Sequence, residues 1–255
     1  MNKIVKITLL SFAALALYSC KIDNYEAPSA GIEGRIIDKV TGKNMEVSHG
    51  TGNLALRVLE TSWANGDESV LTTYQTLNVK QDGTYRNTKL FEGEYDIWPH
   101  ESAVYEDEST SKQHVVLKKG KVTTLNFEVT PYFEIEWVGE PWQDEEGYVH
   151  ARYKFTCNPV PEGHAPATPQ KGQLFTSTTV KVGTSSDSRY AANEINVTSA
   201  DEGNVLEVKT KNPIYFSQKL WLRVGVKANV SSTNMLWDKY CLSSIKTIDA
   251  KGTKD

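Results

Sequence analysis

Short alternations of apolar and polar residues recur along most of the chain, punctuated by Gly, Asn, Asp and Pro. A two-residue period puts every second side chain on one face of a strand, so the pattern predicts half-buried β-strands. Ile32, Gly34 and Ile36 alternate with Glu33 and Arg35, and the run ends at the Thr41-Gly42 turn. Leu54, Leu56 and Val58 alternate with Asn53, Ala55 and Arg57, and Leu77 and Val79 alternate with Thr76, Asn78 and Lys80. Asp82-Gly83 is the strongest short hairpin signal in the sequence. Beyond it, Tyr95 and Ile97 share a face of a strand starting at Gly93, and the acidic stretch 101–108 reads as a loop. Val115 and Leu117 lead to Lys119-Gly120, after which Leu125, Phe127 and Val129 form one alternating strand with Thr124, Asn126 and Glu128. No amphipathic helix is predicted in this half.

Pro131 follows directly and lacks the N–H that a central ladder needs, so a new unit is predicted to start there. Phe133, Ile135 and Trp137 alternate with Glu134 and Glu136, a loop spans 139–147, and a strand at 149–157 turns Val149, Ala151, Tyr153 and Phe155 inward. The Pro-rich span 158–169 is expected to be irregular. Short strands are expected around Val180 and Val182, Ile195 and Val197, and 205–208. The clearest strand of this half is 220–228, with Trp221, Arg223, Gly225 and Lys227 on its second face. Residues 235–248 are expected to supply one closing strand. The fold class is therefore all-β, two tandem β-sandwiches at residues 31–130 and 131–250, and a fragment of residues 28–131 is expected to fold alone. The spacing in the second half suits an immunoglobulin-like or fibronectin-like sandwich, although no Cys-Trp-Cys pattern is present.

The first 30 residues stand outside this plan. Lys3 and Lys6 precede an apolar run at 7–17, the layout of a secretory signal. That run is shorter than the roughly 20 residues that span a bilayer. Leu17-Tyr18-Ser19-Cys20 resembles a bacterial lipobox. The resemblance implies that residues 1–19 are removed as a signal peptide and that Cys20 carries the lipid. Residues 20–30 have no periodicity and read as a lipidated tether, about 33 Å long if ten residues are fully extended. Loss of two lysines moves the formal net charge from -4 to about -6, without the concentrated basic face that nucleic acid requires. Cys157 and Cys241 remain; either they form one disulfide or both are buried thiols, and the inward parity of Cys157 favours thiols.

The order of the turn motifs carries a resemblance. Gly34-Arg35-Ile36-Ile37-Asp38, Thr41-Gly42, Asp82-Gly83-Thr84-Tyr85 and Leu90-Phe91-Glu92-Gly93-Glu94-Tyr95 resemble the plan of the prealbumin-like, carboxypeptidase-regulatory-like β-sandwich. With Cys20 and Asp23-Asn24-Tyr25-Glu26-Ala27-Pro28 ahead of them, they resemble a Bacteroidetes family of two-domain lipoproteins of unknown function. The match covers residues 20–130, and Leu222-Arg223-Val224-Gly225 extends it into the second half. Such lipoproteins accompany starch-utilisation-type systems that capture and import glycans. The resemblance implies an outer-membrane, lipid-anchored protein, on the cell surface if Asp23 and Glu26 act as an export signal. It also implies an outer-membrane transporter and glycan-binding lipoproteins as partners.

The search for reactive chemistry is negative. His49, His100, His114, His150 and His164 are scattered, and there is no His-Glu-x-x-His, Cys-x-x-Cys, Gly-x-Ser-x-Gly or phosphate-loop motif. The runs Glu106-Asp107-Glu108 and Asp144-Glu145-Glu146 lack calcium-loop spacing and read as solvated loops. No carboxylate pair stands out as a glycosidase pair. No catalytic residue, metal or cofactor is expected, and the protein is expected not to be an enzyme.

Three tryptophans fit a core role poorly. Trp98 and Trp221 have outward parity, and Trp142 falls in the Gly- and acid-rich loop. Sugar faces stack on such rings while acids and amides bond the hydroxyls, which makes Trp142, Gln143 and Asp144 the candidate glycan contacts. The competing expectation is that each ring covers a sheet or the seam between domains. Function is thus expected to be that of a glycan-binding accessory of an import system, or of a structural spacer or partner-binding subunit without sugar contact.

Overall fold

The computed structural model describes residues 26–48, 54–64, 67–70, 73–100, 103–184, 189–230 and 239–254. Cys20, the signal segment, and residues 235–238 of the expected closing strand lie outside them. The architecture is all-β, two sandwiches in tandem.

The first sandwich is organised around β1 (Ala30–Asp38). It pairs antiparallel with β4 (Thr84–Leu90) and parallel with the short strands β7 (Val122–Thr124) and β8 (Phe127–Val129). The facing sheet runs β3 (Gln75–Asn78), β2 (Ala55–Glu60), β5 (Gly93–His100), β6 (Gln113–Leu117), all antiparallel. Ile32, Ile36, Leu56, Val58, Tyr95, Ile97 and Phe127 meet between the sheets, as their alternation requires.

Three expectations need correction here. The single strand expected through Leu125 is broken into β7 and β8, because the chain presses onto Gly34, where an added Cβ would lie 1.8 Å from the Leu125 carbonyl oxygen. That oxygen accepts from the Tyr85 hydroxyl, and Leu125 N donates to Glu33 O at 2.9 Å. Glycine permits so close a backbone approach. Second, the Asp82-Gly83 turn forms, with Gly83 at φ 75 and the Asp82 carboxylate accepting from Thr84 N at 3.0 Å. Its flanking strands β3 and β4 nevertheless belong to different sheets, so it carries the chain across the sandwich instead of closing a hairpin ladder.

Third, the acidic stretch is not simply a solvated loop. Ala103, Val104 and Tyr105 are buried, and Glu106 accepts from Thr130 N at 2.6 Å and from Lys39 at 2.7 Å. Asp107 then caps a four-residue helix, α1 (Glu108–Ser111), through a capping box with Thr110.

In the second sandwich β11 (Val149–Cys157) pairs with β9 (Phe133–Trp137), β10 (Trp142–Gln143) and β14 (Leu206–Lys209). The opposing sheet holds β13 (Ile195–Asn196), β12 (Thr168–Ser177) and β15 (Gln218–Asn229), with β16 (Tyr240–Leu242) and β17 (Lys246–Ala250) both pairing with β15. The Pro-rich span is irregular through residue 167, β12 follows it where no strand was expected, two closing strands replace one, and Val180 and Val182 lie in no strand. Instead Val182 packs with Phe175, Tyr240 and Leu242 in a small outer cluster.

The first sandwich docks on the outer face of the β12–β15–β16 sheet. Arg223 of β15 is fully buried there and donates to Ser243 O (2.7 Å), Val47 O (2.6 Å) and Glu46 (2.6 Å). Burial pushes its pKa down to about 10 despite Glu46. Gln81 donates to Val182 O at 2.8 Å, and Thr184 N donates to Ser48 Oγ at 3.0 Å. Ala103 and Tyr105 insert into the core of the second sandwich. Among the described residues, no helix is long and apolar enough to cross a membrane.

Candidate ligand-binding face

Residues 139–147 were expected to form an open loop carrying Trp142, Gln143 and Asp144. Instead they make a tight hairpin, with Asp144 N donating to Tyr148 O at 3.0 Å and Gly147 N to Asp144 O at 3.1 Å. Pairing of β10 with β11 sets Trp142 opposite His150. The two rings stack with centroids 5.0 Å apart and planes 17° apart, and the Arg152 guanidinium lies 4.7 Å from the Trp142 ring centroid. His150 bonds Asp144 through Nε2 (2.8 Å) and Glu207 through Nδ1 (2.9 Å). The Asp144 carboxylate also takes Tyr148 N at 2.8 Å. The Gln143 amide clasps Lys251, accepting from its N and donating to its O, both at 2.8 Å. The three residues are brought together, but their polar atoms serve the hairpin and the adjoining 251–254 segment.

A second tryptophan stands in a different setting. The alternation of β5 turns Glu94, Asp96, Trp98 and His100 onto the outer face of the first sandwich, and the register places Trp98 beside Arg57 and Asp96 beside His114. Although outward-facing, Trp98 is only 4% exposed. Tyr74 meets it edge-on at 6.1 Å, and the Arg57 guanidinium covers the Tyr74 ring at 4.1 Å while donating to Thr76 Oγ1 at 2.6 Å. Beside this corner lies a hollow of about 610 Å³ lined by Trp98, His100, Asp107, Glu108, Ser109 and Lys112. Lys112 sits 3.8 Å from Asp96 and 3.5 Å from Glu108, and His114 bonds Asp96 at 2.9 Å. Hydrogen bonds from Ser109, outweighing burial, hold the Asp107 carboxyl below its usual range. Parity flagged Trp98 in the sequence. Tyr74, Asp107 and Lys112 carried no such signal, because separate segments bring them to it.

Residues 30–130 match the family model described as a protein of unknown function (DUF3823), N-terminal domain. The first sandwich is thus similar to the DUF3823 N-terminal domain. The chain is similar in structure to a DUF3823 family protein from Bacteroides uniformis, at TM-score 0.70 and 21% identity over 87% of this chain and 99% of that one. A DUF3823 family protein from Parabacteroides merdae superposes at TM-score 0.61 and 19% identity over 88% and 100%. A further Bacteroides uniformis protein, for which carbohydrate binding is proposed, superposes at TM-score 0.63 and 20% identity over 87% and 99%. No curated protein matches the sequence. The similarity agrees with the Bacteroidetes family of unknown function recognised from the motif order, and no catalytic family emerges.

Where the first sandwich meets the second, a crevice of about 240 Å³ is lined by Asp38, Lys43, Glu46, Glu134, Glu136 and Cys241, among others. Asp38 accepts from Val40 N at 2.8 Å, Asn158 donates to Glu134 at 2.7 Å, and Glu46 is held by Arg223. No group of three His, Cys, Asp or Glu side chains among the described residues could hold a metal ion. Cys157 and Cys241 are free thiols. Burial drives the Cys241 thiol up to about 12, where it is inert at neutral pH. Trp221 packs against the outer cluster on its sheet.

Proposed function

We propose that this protein is a lipid-anchored, non-catalytic accessory component of a glycan capture and import system, and that it holds glycan in the hollow beside Trp98. The hollow carries the proposal. It is concave, has an aromatic wall and a polar rim, and falls in the ~300–1,000 Å³ range of small-ligand sites. Its walls stand on paired strands and a capped turn, which keeps binding groups in place before a ligand arrives. The signal-like start and Cys20 support anchoring, and the proposed carbohydrate role of one structural relative supports the ligand class. The competing function is a spacer or partner-binding subunit of a surface receptor complex.

Two experiments test this. Cys20→Ser should move the protein from the membrane pellet to the soluble fraction, since stable anchoring needs more than one acyl chain; a pelleting, lipid-bearing variant would refute the anchor. The full-length chain in detergent should bind at least one oligosaccharide on a glycan array, and Lys112→Ala should weaken that binding at an unchanged melting temperature. Binding to no glycan would transfer the assignment to the spacer.

A further inference from the structure

The hollow has a charge pattern that narrows its ligand. Asp107 and Glu108 line it together with His100 and Lys112, Glu94 and Asp96 lie on the same outer face of β5 as Trp98, and Lys112 is already shared between Asp96 and Glu108 at 3.8 and 3.5 Å. His114 lies between Asp96 (2.9 Å) and Glu94 (3.9 Å). The Arg57 guanidinium is committed to the Tyr74 ring and Thr76. A carboxylate or sulfate on a sugar would enter among anions whose cations are engaged, and would lose hydration without a strong partner. Hydroxyl groups fare differently. The carboxylate oxygens of Glu108 and Asp96 can accept from them at the mouth.

The aromatic contact is also specified. Trp98 is nearly buried, so it forms a wall and offers little open ring face. Tyr74 is 43% exposed, and Arg57 on one face with Trp98 at its edge fixes its tilt. An exposed ring held from behind can stack on a pyranose without ordering new groups.

We infer that the hollow selects uncharged glycans over uronate-bearing or sulfated ones, with one sugar ring extending past the Trp98 wall to stack on Tyr74 beside it. This rests on the proposed glycan-binding role of the same face. The test is calorimetric titration of the full-length chain in detergent with neutral cello-, xylo- and manno-oligosaccharides and with oligogalacturonides and alginate oligomers. At least one neutral series should bind, and the uronates should bind about tenfold or more weakly. Tyr74→Ala should weaken neutral-sugar binding about thirtyfold at an unchanged melting temperature, as for a binding anchor, and Tyr74→Phe should not. Asp96→Asn with Glu108→Gln should narrow the gap between neutral and uronate ligands. Equal or tighter uronate binding would overturn the selectivity while leaving glycan binding intact, and an unaffected Tyr74→Ala would overturn the stacking ring. Absence of binding in every series would overturn the underlying role as well.

Discussion

Tyr153 and Thr176 each bury a hydroxyl oxygen without a hydrogen-bond partner. An unpaired buried hydroxyl costs about 1–3 kcal/mol, whereas an isosteric apolar group removes that cost. Tyr153→Phe and Thr176→Val are each expected to raise unfolding free energy by about 1 kcal/mol, measured by urea titration; a loss of stability would show that the hydroxyl is bonded after all. Gly172→Ala should do the reverse, since its Cβ would fall 2.0 Å from the Tyr153 hydroxyl. Trp142→Ala should lower the melting temperature and leave glycan affinity unchanged, because the ring is stacked within the hairpin's own network; weakened binding at a constant melt would restore it as a contact. Side-chain parity was legible in the sequence at this scale, and it set Trp98, Trp221 and Arg223 on outward faces correctly. What parity could not show is that other segments cover them. Arg223 is buried only because a backbone carbonyl 176 residues away docks on its strand.

Among whole elements, strands with clean alternation were readable and strands held by context were not. Strand β11 coincides with its expected span, whereas β12, Thr168–Ser177, was missed because Pro169, Gly172 and several polar residues blur its period. Its nine-pair register with β15 decides the matter, and that pairing is non-local. The same holds for α1, four residues that no helical period can announce. Its cap is testable: Asp107→Ala should cost about 1 kcal/mol and loosen the rim of the hollow. Because Asp107 has a lowered pKa in the folded chain, its contribution is present above the ordinary carboxyl range and is lost as pH falls through the lowered value. Asp107→Asn should keep the cap and reduce that acid dependence, which melts at pH 3 to 6 would reveal.

The two sandwiches are predicted to unfold in one calorimetric transition, since Ala103 and Tyr105 of the first belong to the core of the second; two resolved transitions would contradict this. Arg223→Met should cost about 1–3 kcal/mol, because it strips the buried Ser243 and Val47 carbonyls of their donor, whereas Glu46, with its side chain 40% exposed, can be rehydrated. At the same seam, burial, reinforced by Asp38 against the Asn158 hydrogen bond, pushes the Glu134 carboxyl up. The folded protein therefore holds that proton to a higher pH than the unfolded chain, and stability should decline as pH rises from the ordinary carboxyl value through the raised one. Glu134→Gln should flatten that decline, which parallel melts at pH 5 and 8 would show.

Strand β1 also has a mechanical consequence. The chain enters it directly from residues 26–29, and β1 is hydrogen-bonded along both edges, to β4 on one and to β7 and β8 on the other. A pull delivered along those leading residues would load its ladders in shear, so that many bonds share the tension and must fail together. Peeling would break them one at a time at far lower force. The strand that organises the first sandwich is thus also placed to bear load, and the hollow beside Trp98 would keep its shape under such a pull.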